Sequence, residues 1–218
     1  MRDERLLKKD LFGEIRHRPG PDGGTIVRDT ARSAFWLRPV ARHLLRREAR
    51  ALAALGGRDG APALVSASRD RLERGYVAGR PMQEAKPRTA AFYRLALRRL
   101  RRLHAAGVVH NDLAKEPNIL ASPQGAPVFI DYQLAAVSRR RGRLFRILAY
   151  EDLRHLLKHK RTYCADALSD RQRRILANPS PLSRGFRRLV KPVYLFVTRS
   201  VLGWADREGA GDRGDRQA

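Results

Sequence analysis

The sequence predicts an α+β chain of two lobes, a small strand-rich N-lobe followed by an abbreviated, mainly helical C-lobe. Three observations carry this. Short β-branched runs punctuated by glycine and proline recur through the first 78 residues. Two long stretches, 38–55 and 89–107, space their apolar residues at the 3.6-residue helical period. Beyond residue 107, two short apolar runs lead into acidic or amide side chains, and helical patterns follow. With 218 residues, 43% of them hydrophobic, the chain holds enough apolar surface for a real core.

Along the chain, residues 5–30 read as strands and turns. LLKKDLFGEI is broken by Gly13, HRPGPDGG (17–24) is a turn cluster, and TIVRDT (25–30) is a short β-branched strand. Residues 38–55 form an amphipathic helix with Val40, Leu44, Leu45, Ala49, Leu52 and Leu55 on its apolar stripe, and GGRDG (56–60) stops it. ALVSAS (63–68) and RLERGYVAG (71–79) are strand candidates. GRPMQEAKPR (79–88), with two prolines, reads as a linker, so the N-lobe is assigned to 1–78. Residues 89–107 form a second helix with Phe92, Leu95, Ala96, Leu100, Leu103 and Ala106 inward, Thr89 as N-cap and Gly107 as its stop. VVHNDLAKEPNIL (108–120), the turn SPQGAP (122–127) and the apolar run VFI (128–130) lead to Asp131. AYEDLRHLLKHK (149–160) and DALSDRQRRIL (166–176) are helical, which closes a C-lobe at 79–177. Residues 178–218 hold a linker, an amphipathic helix over 191–204 and a polar tail. At fourteen residues that helix is too short to span a bilayer. It either lies on an anionic surface or packs on the C-lobe or a partner.

Composition narrows the partners. Against 22 acidic residues stand 46 basic ones, a net charge of +24, which attracts polyanions: nucleic acid, anionic lipid, phosphorylated sugars or ribosomes. Only seven of the 46 are lysine, and an arginine- and alanine-rich composition also follows from genome habit, so the charge names no single partner. No nucleic-acid motif, such as a strip of stacking aromatics, is present. The lone cysteine, Cys164, excludes a disulfide framework and a thiolate-rich zinc site, and fits a reducing compartment. The first ten residues lack an apolar signal region, and no run of 18 apolar residues exists. The expected location is cytoplasmic, with attachment to the periphery of the inner membrane left open.

The chemistry concentrates in His110-Asn111-Asp112-Leu113-Ala114-Lys115-Glu116-Pro117-Asn118 and in Val128-Phe129-Ile130-Asp131. Phosphoryl transfer needs a carboxylate to orient a hydroxyl, oxygens to hold Mg²⁺ and a cation to steady phosphates. Two short strands joined by a tight turn bring Asp112, Asn118 and Asp131 to one rim, and hard oxygens are what Mg²⁺ prefers.

These residues resemble the protein-kinase superfamily: the catalytic loop His-x-Asp…Asn and the metal-binding Asp of Asp-Phe-Gly. The thirteen-residue step from Asn118 to Asp131 is similar to that family's, as are the twenty residues from Arg28 to Glu48, the spacing of the strand Lys and its helix Glu. Asp152 stands where a buried Asp braces the catalytic loop. The resemblance covers roughly residues 5–160, and the small size looks most like bacterial lipopolysaccharide core sugar kinases (Kdo or heptose) and RIO-type kinases.

By that resemblance the fold is bilobal and protein-kinase-like, and the chain binds ATP and Mg²⁺. Asp112 is the catalytic base and Lys115 contacts the transferring phosphate. Asn118 and Asp131 hold Mg²⁺, Glu48 orients the phosphate-steadying cation, and Gly13 is the phosphate-covering turn. The acceptor is a hydroxyl, on a protein in the serine/threonine manner or on a lipopolysaccharide sugar. Four departures bear on activity. The step from Asp112 to Asn118 is one residue longer than usual. Tyr132-Gln133 replaces Phe-Gly. Asn111 replaces the Arg that clamps a phosphorylated activation loop. Arg28 replaces the strand Lys, so either Arg28 steadies phosphates or Lys8 or Lys9 reaches in. A pseudokinase that binds nucleotide or a polyanionic partner without transfer is the alternative.

Overall fold

The computed structural model of the chain describes residues 4–57 and 60–178. Its first part is a five-stranded antiparallel sheet in the order β1-β2-β3-β5-β4. The strands are β1 (Arg5–Asp10), β2 (Gly13–Arg18), β3 (Thr25–Asp29), β4 (Leu64–Ala67) and β5 (Arg71–Gly75). Leu11 and Phe12 form the tight turn between β1 and β2, where Asp10 Oδ1 accepts from the Phe12 amide at 2.9 Å. Gly13 opens β2 at φ +125°. A Cβ there would lie 2.1 Å from the Asp29 carbonyl oxygen, so the approach of β2 to β3 itself requires glycine.

The first helix, α1 (Arg38–Leu55), fills the expected span. Pro39 sits in its first turn, and Gly56 ends it at φ +57°, donating to the Leu52 carbonyl. Its buried face is Ala41, Leu45, Glu48, Ala51, Leu52 and Leu55, while Val40 of the expected stripe is exposed. α1 touches β4 and β5. It also reaches the segment after Asp131, where Arg47 donates to the carbonyls of Leu134 and Ala135 at 2.7 and 3.0 Å.

The stretch expected as a linker is folded. β6 (Arg80–Pro81) pairs with β8 (Ile119–Ala121), which pairs with β9 (Pro127–Phe129). Met82 begins the one-turn helix α2 (Met82–Ala85) and is fully buried. Gly79 makes this possible, because a Cβ there would stand 2.9 Å from the Ala121 carbonyl oxygen. Proline and glycine mark the bends, but a strand partner forty residues away supplies the order.

Helix α3 (Ala90–Ala105) is capped by Thr89, whose Oγ1 accepts from the Phe92 amide at 3.4 Å. Its buried face adds Tyr93 and Arg99 to the apolar stripe. β7 (Val108–Val109) follows and pairs with β10 (Ala136–Val137). α4 (Arg143–Tyr163) begins six residues before the expected start at 149. The expected helix over 166–176 is instead a 3-10 turn at Ala165–Ala167 followed by α5 (Asp170–Ala177). Ser169 resets the chain between them: its side chain accepts from the Gln172 amide while Gln172 accepts from the Ser169 amide.

The chain is thus of the α+β class. One apolar cluster joins Leu52 and Leu55 of α1 to Met82, to Phe92 and Leu100 of α3, to Phe129 and Tyr132, and to Leu156 of α4. Among the described residues no helix is long and apolar enough to cross a membrane. The expected linker beyond residue 178, the helix over 191–204 and the polar tail lie outside the described residues.

Candidate active site

The loop after β7 is built on a buried base. Val108, Val109 and His110 are fully buried. His110 Nε2 lies 3.0 Å from the Ile130 carbonyl oxygen. A carbonyl only accepts, so Nε2 carries the proton. The ring packs against Tyr132 at 4.6 Å and edge-on to Phe129 at 6.4 Å. Burial lowers its pKa from the usual histidine value against the pull of nearby carboxylates, so the ring is neutral and structural.

Asp152 of α4, also buried, fastens the next step. Its Oδ2 accepts from the His110 amide at 2.7 Å and its Oδ1 from the Asn111 amide at 2.8 Å, with His104 Nε2 at 3.2 Å from Oδ2. Held this way, Asn111 adopts φ +63°, and its Nδ2 donates to the Leu134 carbonyl at 3.0 Å. One carboxylate, that of Asp152, thus holds two successive backbone amides ahead of Asp112.

Asp112 and Asn118 meet directly. Asn118 Nδ2 donates to Asp112 Oδ2 at 2.8 Å and to the Asp112 carbonyl at 2.9 Å, and Lys115 Nζ lies 3.1 Å from the same Oδ2. The long Asp112–Asn118 step is absorbed by a 3-10 turn, Glu116–Asn118, with Pro117 inside it. Asn118 is buried, Asp112 half-buried and Lys115 exposed. With both Nδ2 hydrogens given to Asp112, Asn118 has Oδ1 left to offer.

The β8–β9 hairpin sets the backbone ahead of Asp131 beside Asn118. Ile119 stands opposite Phe129, and the Ile130 amide donates to the Asn118 carbonyl at 2.9 Å. Asp131 follows at once, at φ +63°, and its Oδ1 accepts from Gln133 Nε2 at 2.6 Å. Gln133 thus holds one oxygen of the carboxylate.

Glu48 has two arginines. Arg28 Nη1 of β3 lies 3.1 Å from its Oε2, and Arg74 Nε of β5 lies 3.2 Å from its Oε1. Glu48 is 2% exposed, and the two arginines 14% and 15%. Arg28 stands opposite Leu72 and Arg74 opposite Ile26, so both guanidiniums share the face that carries buried Leu72 and Ile26. Sequence reading missed Arg74, although the signal was there: a strand arginine in phase with a buried leucine points inward. Lys8 and Lys9 pair with Asp10 and Glu14 of their own hairpin, at 3.4 and 3.5 Å. Gly13 stands beside the turn, whose tip is Leu11 and Phe12.

Among the described residues no three His, Cys, Asp or Glu side chains gather as a metal cage. A small crevice lined by Leu55, Gly60, Arg99, Leu103, Phe129 and Tyr132 contains none of Asp112, Asn118 or Asp131. It is a packing gap in the core. No protein-family model matches the chain, and no curated protein matches it significantly.

Proposed function

We propose that the chain is a bilobal, protein-kinase-like phosphotransferase that moves the γ-phosphate of ATP to a hydroxyl, in the manner of serine/threonine kinases. The observation that carries this is the Asp112–Asn118 pair on a loop fastened by Asp152, with Asp131 one residue beyond the Asn118–Ile130 hydrogen bond. Kinase chemistry asks for that convergence and little else, because catalysis there is positioning and charge.

The donor set fits Mg²⁺. The metal favours hard oxygens and is commonly held by one or two protein carboxylates together with substrate phosphates and waters, so a three-residue cage is not required. Asn118 Oδ1 and the Asp131 carboxylate are the oxygens that would hold it, and Mg·ATP when bound supplies the phosphoryl group. Asp112 has Oδ2 engaged by Asn118 and Lys115, which leaves Oδ1 to orient a hydroxyl and take its proton. Lys115 supplies positive charge beside that exchange. Arg28 and Arg74 together outnumber Glu48 by one charge, so the pair retains a net cation to face phosphate. ATP supply and the lone Cys164 suit a cytoplasmic enzyme.

One observation favours the non-transferring alternative. Gln133 occupies one oxygen of Asp131, so a group the reaction needs already has a partner. Transfer of radiolabelled γ-phosphate by the purified chain to protein and lipid-sugar fractions separates the readings. Asp112→Asn should keep ATP binding and lower transfer at least about a hundredfold. Asp131→Ala should lose transfer and the Mg²⁺ dependence of ATP binding. Normal transfer by Asp112→Asn, or equal ATP binding with and without a chelator, overturns the assignment.

A further inference from the structure

Phe35 and Trp36, between β3 and α1, are 82% and 55% exposed. Single exposed apolar residues are ordinary, but two successive aromatics at this exposure are not. Nor is the loop loose. Ser33 is buried and its Oγ donates to the Thr30 carbonyl at 2.6 Å, and the Leu37 and Arg38 amides donate to the Ala34 carbonyl at 2.9 and 3.0 Å. The Ala34 amide donates to the Leu11 carbonyl at 3.1 Å, which brings the tip of the β1–β2 hairpin beside the loop. Leu11 at that tip is 52% exposed, and Val40, in the first turn of α1, 47%. The backbone of this loop is anchored while its largest side chains are mostly in solvent.

Cations surround it. Lys9 and Arg32 are exposed, while the Glu14 carboxylate they flank is buried, and exposed Lys8 pairs with Asp10. The Arg16 guanidinium beside it holds its pKa below the usual carboxylate range. The carboxylate is thus drawn inward and the positive charge faces solvent, on a chain of net charge +24.

We propose that Leu11, Phe35, Trp36 and Val40 are an insertion edge that seats the protein on an anionic lipid bilayer. Aromatic and aliphatic side chains enter the headgroup boundary while the flanking Lys and Arg meet lipid phosphates. The aliphatic members decide for lipid. Leu11 and Val40 give nothing to a nucleic-acid base, which asks for flat stacking surfaces in a basic groove, but acyl chains accept them.

The chain has two tryptophans, Trp36 and Trp204, so Trp204→Phe leaves Trp36 as the single reporter. Mixed with vesicles of phosphatidylcholine and phosphatidylglycerol, this full-length variant should show a blue shift and quenching by brominated acyl chains. The effect should weaken as salt rises. Pure phosphatidylcholine vesicles should bind far less. Phe35→Ser with Trp36→Ser should reduce co-sedimentation of the full chain at least about tenfold, on the scale of burying two aromatic side chains. The thermal midpoint should move little, because both side chains are mostly exposed. Unchanged sedimentation by that double variant overturns the proposal and puts membrane binding elsewhere in the chain. So does a Trp36 already shielded from acrylamide before vesicles are added, which means that the chain or a second copy covers the edge. Binding of a single-stranded RNA oligonucleotide that depends on Phe35 and Trp36, without vesicle binding, also overturns it.

Discussion

Glu48 is a buried carboxylate held by two guanidiniums from neighbouring strands, and its energetics follow from that count. Removing one arginine leaves the charge paired, whereas removing both strands it in a low-dielectric core. Arg28→Ala and Arg74→Ala should therefore each cost little stability. Together they should cost about 3–5 kcal/mol, more than the sum of the two, and Glu48→Gln should recover most of it. Urea unfolding of the four variants measures this. Additive losses would mean that each arginine acts alone. The same pairing bears on ligand binding: if the net cation faces phosphate, the weakening of ATP binding should also be greatest in the double variant. Asp152 is the other residue of this kind. It joins α4 to the loop ahead of Asp112 through backbone amides, so its influence on Asp112 is through position.

At the scale of elements, the folded stretch 79–85 is the main revision. Proline and glycine density predicts a linker, but Met82 is fully buried and the two residues before it pair with β8. α2 lies against β8 and the turn that carries Asn118, so Met82 supports the candidate site from beneath. Met82→Ala should destabilise the chain by about 2–5 kcal/mol, as deletion of a buried methionine side chain does. Thermal or urea unfolding tests it, and a loss under about 0.5 kcal/mol, the range of surface substitutions, would restore the linker reading. α5 shows the opposite case, where a local signal is sufficient. Ser169 and Gln172 form a capping box that starts the helix wherever the chain presents it.

Across the whole molecule, two histidines wholly or partly withdrawn from water tie stability to pH. Burial lowers the pKa of His110, and it brings His155 down to about 4. Below the ordinary histidine pKa of about 6.5, the unfolded chain binds protons at both positions that the folded chain does not. Their stabilisation is complete above that pH and is lost as pH falls through the window toward about 4. Asp70 and Glu4, whose pKa values are lowered by hydrogen bonds from Arg42 and Arg18, add a further loss at more acid pH, as they are protonated. The urea midpoint should fall from pH 7 to pH 5, and His155→Gln should flatten that fall. A midpoint constant over this range would show that both rings titrate as they do in the unfolded chain.

The sequence by itself determined what is local. The span of α1, its stop at Gly56, the cap of α3 at Thr89 and the short strands of the first sheet depend on propensity, period and turn chemistry within a few residues, and these are written along the chain. Asp112, Asn118 and Asp131 were legible as candidates because the Asp112–Asn118 contact lies within one loop and the short β8–β9 hairpin sets the residue before Asp131 beside Asn118. Tertiary structure alone decided the rest. Val40 faces outward while Ala41 packs, since the face that α1 turns inward is set by the elements it packs against. Met82 is core because β6 finds β8. Arg74 shares Glu48 with Arg28, and Asp152 holds His110 and Asn111 from 41 or 42 positions away. Each of these pairings joins distant stretches of chain, and its sign depends on which groups leave water together, a quantity that no single segment carries.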